Sequence, residues 1–302
     1  MKVVTSGSRY IDIDAYAGCI AYSYLLNLKG INSKAVSTAK LNESIPKNLL
    51  ELDIKLDDYI PTEEDEFIII DVSDKKFFDS IVKENKIIKV IDHHTGFEEY
   101  WKRRLKEDSK IEFIGAVATI IFELYEKEKL QDKITKDIAY LMMSAILDNT
   151  LNFKAKVTTN RYIIAYKKLE QIAKTPKEFA SKYFLNCQKI IEKDLKKSIE
   201  NDTKIGITNK NLPNIFSQLT VWNKNKIFEN KKIIYDTLNQ FGDEWILNLI
   251  CLEEEQSYMI ASNNLILQNI QKLLNGKMQE NYIECGEVWL RKEIIKKAEK
   301  VK

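Results

Sequence analysis

The stretch VIDHHTG, residues 90–96, ends an apolar run and carries both histidines of a 302-residue chain, adjacent and directly after an aspartate. An open parallel sheet collects its ligand-binding side chains outside the C-terminal ends of its strands. The run before the motif, Ile87–Ile91 (IIKVI), reads as such a strand. Phe67–Val72 (FIIIDV) reads as another, apolar on both faces as in a sheet covered by helices.

Outward from these two, the first half alternates. Lys2–Thr5 reads as a short buried strand, Asp14–Leu28 as a helix closed by Gly30, and Ser33–Ser37 as a second strand. Ile111–Ile114 reads as a short fifth strand, and Gly115 opens the helix GAVATIIFELYEK. Helices are expected over Lys133–Leu147 and Thr158–Ala173. Strands alternating with helices imply an α/β fold with a parallel sheet and helices on both faces. The pattern changes near Thr175–Pro176. A long charged helix is expected from Pro176 to Glu200, then a strand at Lys204–Thr208 (KIGIT) and a helix near Lys224–Gln240. The strand-like WILNLICL and SYMIAS, another helix and the tail GEVWLRKEIIKKAEK follow. The expected organisation is two domains, residues 1–186 and a smaller α/β domain over 187–302.

Composition narrows the function. Apolar residues make up 44% and charged residues 30% of the chain, with a net charge of +2. That suits a globular protein and argues against a dedicated nucleic-acid or membrane binder. Cys19, Cys187, Cys251 and Cys285 are scattered without a CxxC pair, as expected of reduced thiols in a cytoplasmic protein. The opening MKVVTSGS lacks a signal-peptide apolar region, and no apolar run reaches the ~20 residues of a membrane helix.

Acidic residues recur at the expected strand exits. GSRYIDID after the first strand carries Asp12 and Asp14; DVSD after FIII carries Asp71 and Asp74; DHH carries Asp92, His93 and His94; DNT after the helix ending SAIL carries Asp148. One aspartate after a strand is an ordinary cap or turn residue. Four such places on one rim would repel one another unless a cation neutralised them. Carboxylates mixed with imidazole suit Mn²⁺, Co²⁺, Mg²⁺ or Zn²⁺. Two such ions ~3.5–4 Å apart can clamp the attacking and leaving oxygens of phosphoryl transfer. The residues alone therefore point to a dinuclear metal hydrolase.

The ordered set of D-x-D, an aspartate after a strand, DHH, and an aspartate before T-L-N-F resembles the DHH phosphoesterase superfamily. SAILDNTLNFKAKVTT is similar to the fourth motif of family II inorganic pyrophosphatases and their exopolyphosphatase relatives, and GAVATIIFELY resembles the helix they carry after DHH. KDLKK followed by KIGIT looks like the opening of their DHHA2 domain, and LRK like its closing basic motif. The resemblance implies a DHH–DHHA2 phosphoesterase with two divalent ions, Mn²⁺ first, with Mg²⁺ or Co²⁺ as alternatives. It implies Asp12 and Asp71 on one metal, and Asp14, Asp71, His93 and Asp148 on the other, with Asp71 bridging. His94 would contact phosphate and donate a proton; Asp92 would fix a histidine tautomer. A metal-bridging hydroxide would attack. Lys196, Arg291 and Lys292 would bind substrate phosphate as the lobes close.

Three departures bear on the substrate. The pyrophosphatases carry histidine where this chain has Ser8; their fourth-motif aspartate aligns with Asn149, one place after Asp148; and DVSD stands where they have DHN. A hydroxyl at Ser8 makes the first site harder and more tolerant of Mg²⁺. Prune-type proteins and eukaryotic exopolyphosphatases also lack that histidine. The expected activity is hydrolysis of short polyphosphate or pyrophosphate. One alternative is a phosphodiesterase or phosphatase on short oligoribonucleotides or adenosine bisphosphate, with Tyr10, Phe97 or Trp101 stacking on a base. Another is a non-catalytic binder of phosphorylated ligands. The expected partner is a small phosphorylated substrate, with no stable nucleic-acid complex and no membrane. The oligomeric state stays open, a homodimer included.

Overall fold

Strand β1 (Lys2–Thr5) is central to a parallel sheet because Val3 and Val4, pointing to opposite faces, are both fully buried. The computed structural model describes residues 1–156 and 158–301. Their contacts form two units: Met1–Phe153 with Val157–Ala180, and Lys154–Lys156 with Ser181–Lys302.

In the first unit β1 is followed by α1 (Ile13–Leu28), β2 (Ser33–Ala35), the single turn α2 (Lys47–Leu50), β3 (Glu66–Ile70), β4 (Ile87–Asp92) and α3 (Glu98–Leu105). Strand β5 (Ser109–Ile111) and helices α4 (Val117–Lys127), α5 (Lys136–Thr150) and α6 (Asn160–Ala173) complete it. The five strands pair in parallel in the order β2-β1-β3-β4-β5. From β1 the chain steps outward to β2, then crosses back over β1 to β3. The crevice between the exits of β1 and β3 is therefore the topological switch point, where open α/β sheets bind ligands.

Both faces are covered. Val3, Phe67, Ile69 and Val90 pack on one face with Trp101 of α3. Full burial of a side chain such as Phe67 or Ile69 contributes about 1.5–3 kcal/mol. On the other face α1 crosses closely, and Gly18 makes this possible. A Cβ there would lie 2.7 Å from Cγ2 of Ile70 and 3.1 Å from Cγ1 of Val117. Helix α1 thus sits tight against both β3 and the start of α4, an approach that later brings Asp14 to α4.

The second unit carries most of α7 (Phe179–Lys193), then α8 (Leu195–Asn201), β6 (Thr203–Ile205), β7 (Ile215–Val221), α9 (Asn225–Glu229) and α10 (Lys231–Leu238). After these come β8 (Trp245–Cys251), β9 (Gln256–Ala261), α11 (Asn264–Leu274), β10 (Lys277–Met278), β11 (Ile283–Glu284) and α12 (Arg291–Glu299). Its sheet runs β10-β11-β9-β8-β7-β6, mixed because β7 and β8 are parallel and the other pairs antiparallel. Strand β8 is buried along its whole length: Trp245, Leu247 and Leu249 face α8 and α10, and Ile246 faces α11 and α12.

Several expectations change. The long helix expected over Pro176–Glu200 breaks at Asp194, whose carboxylate accepts the N–H of Lys197 and caps a new helix. The helix expected near Lys224–Gln240 likewise breaks at Asn230. The fifth strand lies at Ser109–Ile111, two residues before Ile111–Ile114 was expected to begin it, which leaves the Ile114 carbonyl to a side chain. Helix α5 runs on through Asp148 to Thr150, so that aspartate belongs to the last helical turn and not to a loop. Among the described residues no helix is long and apolar enough to cross a membrane, and the four cysteines are buried and unbridged.

Candidate metal centre

The exits of β3 and β4 build the centre. At the end of β3, Asp71 takes a left-handed backbone, φ 64°, and its N–H donates to the Ile91 carbonyl of β4 at 2.9 Å. That conformation is uncommon for residues other than glycine, asparagine and aspartate, and here it turns the chain sharply at the sheet rim. At the end of β4, Asp92 is fully buried. One of its oxygens, Oδ1, accepts the N–H of His93 at 2.7 Å, the N–H of His94 at 3.1 Å and the Nδ1 of His94 at 2.8 Å. Burial opposes ionisation of Asp92, yet the hydrogen bond and charge of His94, with a hydrogen bond from Ser73, hold its carboxyl below the usual range.

His93 is oriented by a different partner. Its Nδ1 lies 2.7 Å from the Ile114 carbonyl oxygen. A carbonyl can only accept, so Nδ1 carries a proton and donates it, which leaves Nε2 as the nitrogen turned toward the carboxylates. Nε2 faces Oδ1 of Asp71 at 3.0 Å and Oδ2 of Asp14 at 3.8 Å.

Asp14 arrives from α1. It is completely buried, and its two oxygens accept the N–H of Val117 at 2.7 Å and of Ala118 at 2.9 Å. These are unspent amides at the N-terminus of α4, whose own N-cap, Ala116, offers no side-chain acceptor. Burial, then the charge of Asp71, pushes the Asp14 carboxyl well above the usual range despite those amides.

Asp71, Asp92, His93 and His94 place one ligand atom each within 4.8 Å of one another, and this is the metal-capable group among the described residues. Asp14 adjoins it through His93. Nε2 of His93 and oxygens of two carboxylates thus converge at one point. Such a set is stable around a proton or a metal cation, and imidazole with carboxylates suits Mn²⁺. The residues fit a divalent ion.

The other nominated residues stand as follows. Asp12 caps α1, its Oδ1 accepting from the N–H groups of Asp14 at 3.1 Å and Ala15 at 3.0 Å; its charge also reaches Asp14. Ser8 donates its hydroxyl to the Phe77 carbonyl at 3.3 Å. Asp148 and Asn149 lie on the last turn of α5, and the Asn149 amide donates back to Ala145 at 3.4 Å. In the second unit, exposed Lys196 lies 3.7 Å from Glu200. Arg291 is buried, its guanidinium donating to the Asp202 and Phe216 carbonyls and pairing with the Asp202 carboxylate. Lys292 is exposed on the same helix. Trp101 is no platform for a base: it is fully buried and donates its indole N–H to the Ser73 carbonyl. Tyr10 is exposed. Sequence reasoning missed the Ile114 carbonyl and the α4 amides, which act through backbone atoms and leave no residue-type signal.

Residues 2–146 match the DHH family, N-terminal domain. A Lactobacillus gasseri protein assigned as a manganese-dependent inorganic pyrophosphatase is 24% identical over 310 residues, covering 97% of this chain and 96% of that protein. The manganese-dependent inorganic pyrophosphatase of Bacillus subtilis is 29% identical over 204 residues, 66% of this chain and 63% of that one. The crystal structure of a Methanococcus jannaschii protein assigned to the family II inorganic pyrophosphatases superposes with a TM-score of 0.65 at 22% identity. It covers 99% of this chain and 100% of its own, a likeness of fold.

Proposed function

We propose that this chain, whose residues 2–146 form a DHH family N-terminal domain, is a divalent-metal-dependent hydrolase of phosphoanhydride bonds in inorganic pyrophosphate or short polyphosphate. The observation that carries the reading is the convergence of His93 Nε2 with Asp71 Oδ1 at 3.0 Å and Asp14 Oδ2 at 3.8 Å, at the exits of the parallel strands. The manganese dependence in the names of the relatives supports the same metal here.

Asp14, Asp71 and His93 would hold one ion. The proposal adds Asp148 to that ion and includes a second ion held by Asp12 and Asp71. Bound cations would cancel the carboxylate charge and polarise phosphoryl oxygens. The chain's own groups do the rest. The Ile114 carbonyl fixes the His93 tautomer, as partners behind metal-binding histidines commonly do. Asp92 holds His94 by Nδ1, so that Nε2 of the exposed ring is placed to hand a proton to a departing phosphate oxygen. Lys196, Arg291 and Lys292 are the proposed phosphate contacts. Arg291 already has three donors engaged within its unit, so the two lysines carry more of that role.

The test is phosphate release from pyrophosphate, tripolyphosphate and adenosine 3′,5′-bisphosphate with Mn²⁺, Mg²⁺ or chelator. Metal-dependent release from the first two is expected. Release from the bisphosphate alone would transfer the protein to nucleotide phosphatases, and no release from any would leave a binding protein.

A further inference from the structure

Three neighbouring strand exits meet at the switch point of the first sheet: those of β2, β1 and β3. The β1 exit, Ser6 to Asp12, leads straight into the metal centre, yet Ser8 and Tyr10 on it are exposed. Something must hold it. Along one side it is pinned to the segment after β3. The N–H of Asp79 donates to the Ser6 carbonyl at 2.9 Å, Gly7 bridges Phe78, and the N–H of Ser8 donates to the Phe77 carbonyl at 2.8 Å.

The Asp79 side chain continues across to the β2 exit. Its Oδ2 accepts the N–H of Thr38 at 2.7 Å and the hydroxyl of Ser37 at 3.2 Å. Its Oδ1 accepts the Thr38 hydroxyl at 2.7 Å and the N–H of Ile81 at 3.2 Å. Asp79 is buried, and these four hydrogen bonds are to neutral donors. A buried carboxylate is tolerated when donors surround it. One residue therefore ties all three exits: its own backbone follows β3, its N–H holds the β1 exit, and its carboxylate holds the β2 exit.

We infer that Asp79 is a positioning residue for the metal centre, locking the β1 exit so that Asp12 and Asp14 are presented to Asp71 and His93. The inference rests on the proposed metal-dependent reading. Asp79 acts through the strand exits and bonds no proposed ligand directly, so its expected effect lies below the roughly 10–100-fold carried by direct outer partners.

Asp79→Asn is informative because each carboxylate oxygen accepts a backbone N–H, from Thr38 or from Ile81. Whichever way the amide turns, its NH₂ confronts an N–H. The experiment is Mn²⁺ titration of the full chain followed by electron paramagnetic resonance, beside thermal melts, for wild type, Asp79→Asn, Thr38→Val and Thr38→Ser. Expected are severalfold weaker Mn²⁺ binding in Asp79→Asn, a smaller but measurable loss in Thr38→Val, and near wild-type binding in Thr38→Ser, which keeps the hydroxyl. If Asp79→Asn fails to fold, the Thr38 pair decides alone. Wild-type Mn²⁺ affinity in the folded variants, whatever their melting midpoints, overturns the inference and leaves the proposed function standing. Absence of Mn²⁺ binding by wild type overturns both.

Discussion

His93 Nε2 and Asp71 Oδ1 lie 3.0 Å apart with the imidazole proton committed to the Ile114 carbonyl on the other side of the ring. An imidazole nitrogen and a carboxylate oxygen at this distance share either a proton or a metal ion. With the buried Asp14 carboxylate 3.8 Å from the same Nε2, the surplus of negative charge creates a demand for a cation.

Asp71→Asn tests that demand with little structural side effect. Asparagine tolerates the left-handed backbone that Asp71 adopts at φ 64°, so the turn should survive. Mn²⁺ affinity and phosphate release should fall by more than the ~10–100-fold that loss of an outer partner costs. The melting midpoint of the chelated protein should hold or rise, since one repelling charge is gone. Calorimetric Mn²⁺ titration beside a phosphate-release assay checks both parts. Wild-type affinity would remove Asp71 from the metal.

Asp14 sets a pH dependence. Burial and then the charge of Asp71 raise its carboxyl well above the usual range, whereas in the unfolded chain it titrates near ~3.9. Above that value the folded, metal-free protein keeps a proton that the unfolded chain has lost. Stability must then fall as pH rises from about 4 through the raised folded value. Urea midpoints of the chelated protein should decline from pH 5 to pH 8, and saturating Mn²⁺ should offset most of the decline. In Asp14→Asn the slope should flatten. The variant should also lose about 1–3 kcal/mol, because its NH₂ would face the N–H of Val117 or of Ala118. A flat wild-type profile would contradict the shared carboxylate site.

His94 separates proton transfer from metal binding. Its Nδ1 is held by Asp92 at 2.8 Å, while Asp71 Oδ1 lies 4.0 Å away. His94→Gln should lower kcat by roughly 10²–10⁴, the usual worth of a general acid, with Mn²⁺ affinity changed no more than severalfold. Loss of Mn²⁺ binding in step with kcat would make His94 a ligand instead.

The first sheet was legible because its signals are local. Lys2–Thr5 reads as a buried strand and has those bounds, and the acidic residues after FIII and IIKVI stand where parallel strands end. Strand β7 escaped notice because Ser217, Gln218 and Thr220 interrupt its apolar run; its burial comes from pairing along its whole length with β8, a partner remote in sequence. The break at Asp194 was hidden by strong helix formers on both sides, and one carboxylate reaching the N–H of Lys197 decides it. In the centre, the donors to Asp14 lie more than 100 residues away on α4. No pattern around Asp14 announces them. Residue types showed which side chains could hold a metal; the backbone groups that aim them follow only from the packing of α1 on α4.

Arg291 and Lys196 share a nominated role but differ in surroundings, which gives them opposite signatures. Arg291 is buried and donates to two carbonyls and the Asp202 carboxylate. Lysine cannot reproduce that planar fork, so Arg291→Lys should cost about 1–3 kcal/mol of stability through the carbonyls left unpaired. Lys196 is exposed and pairs with Glu200 at 3.7 Å, and an exposed pair of that kind contributes ~0–1 kcal/mol. Lys196→Ala should therefore leave the urea midpoint almost unchanged while raising KM for pyrophosphate severalfold or more, as loss of a phosphate contact would. Urea melts and initial-rate kinetics on both variants check this. A destabilised Lys196→Ala with unchanged KM would assign that lysine to the helix surface. An undisturbed fold in Arg291→Lys with a raised KM would move its guanidinium from structural support to the substrate.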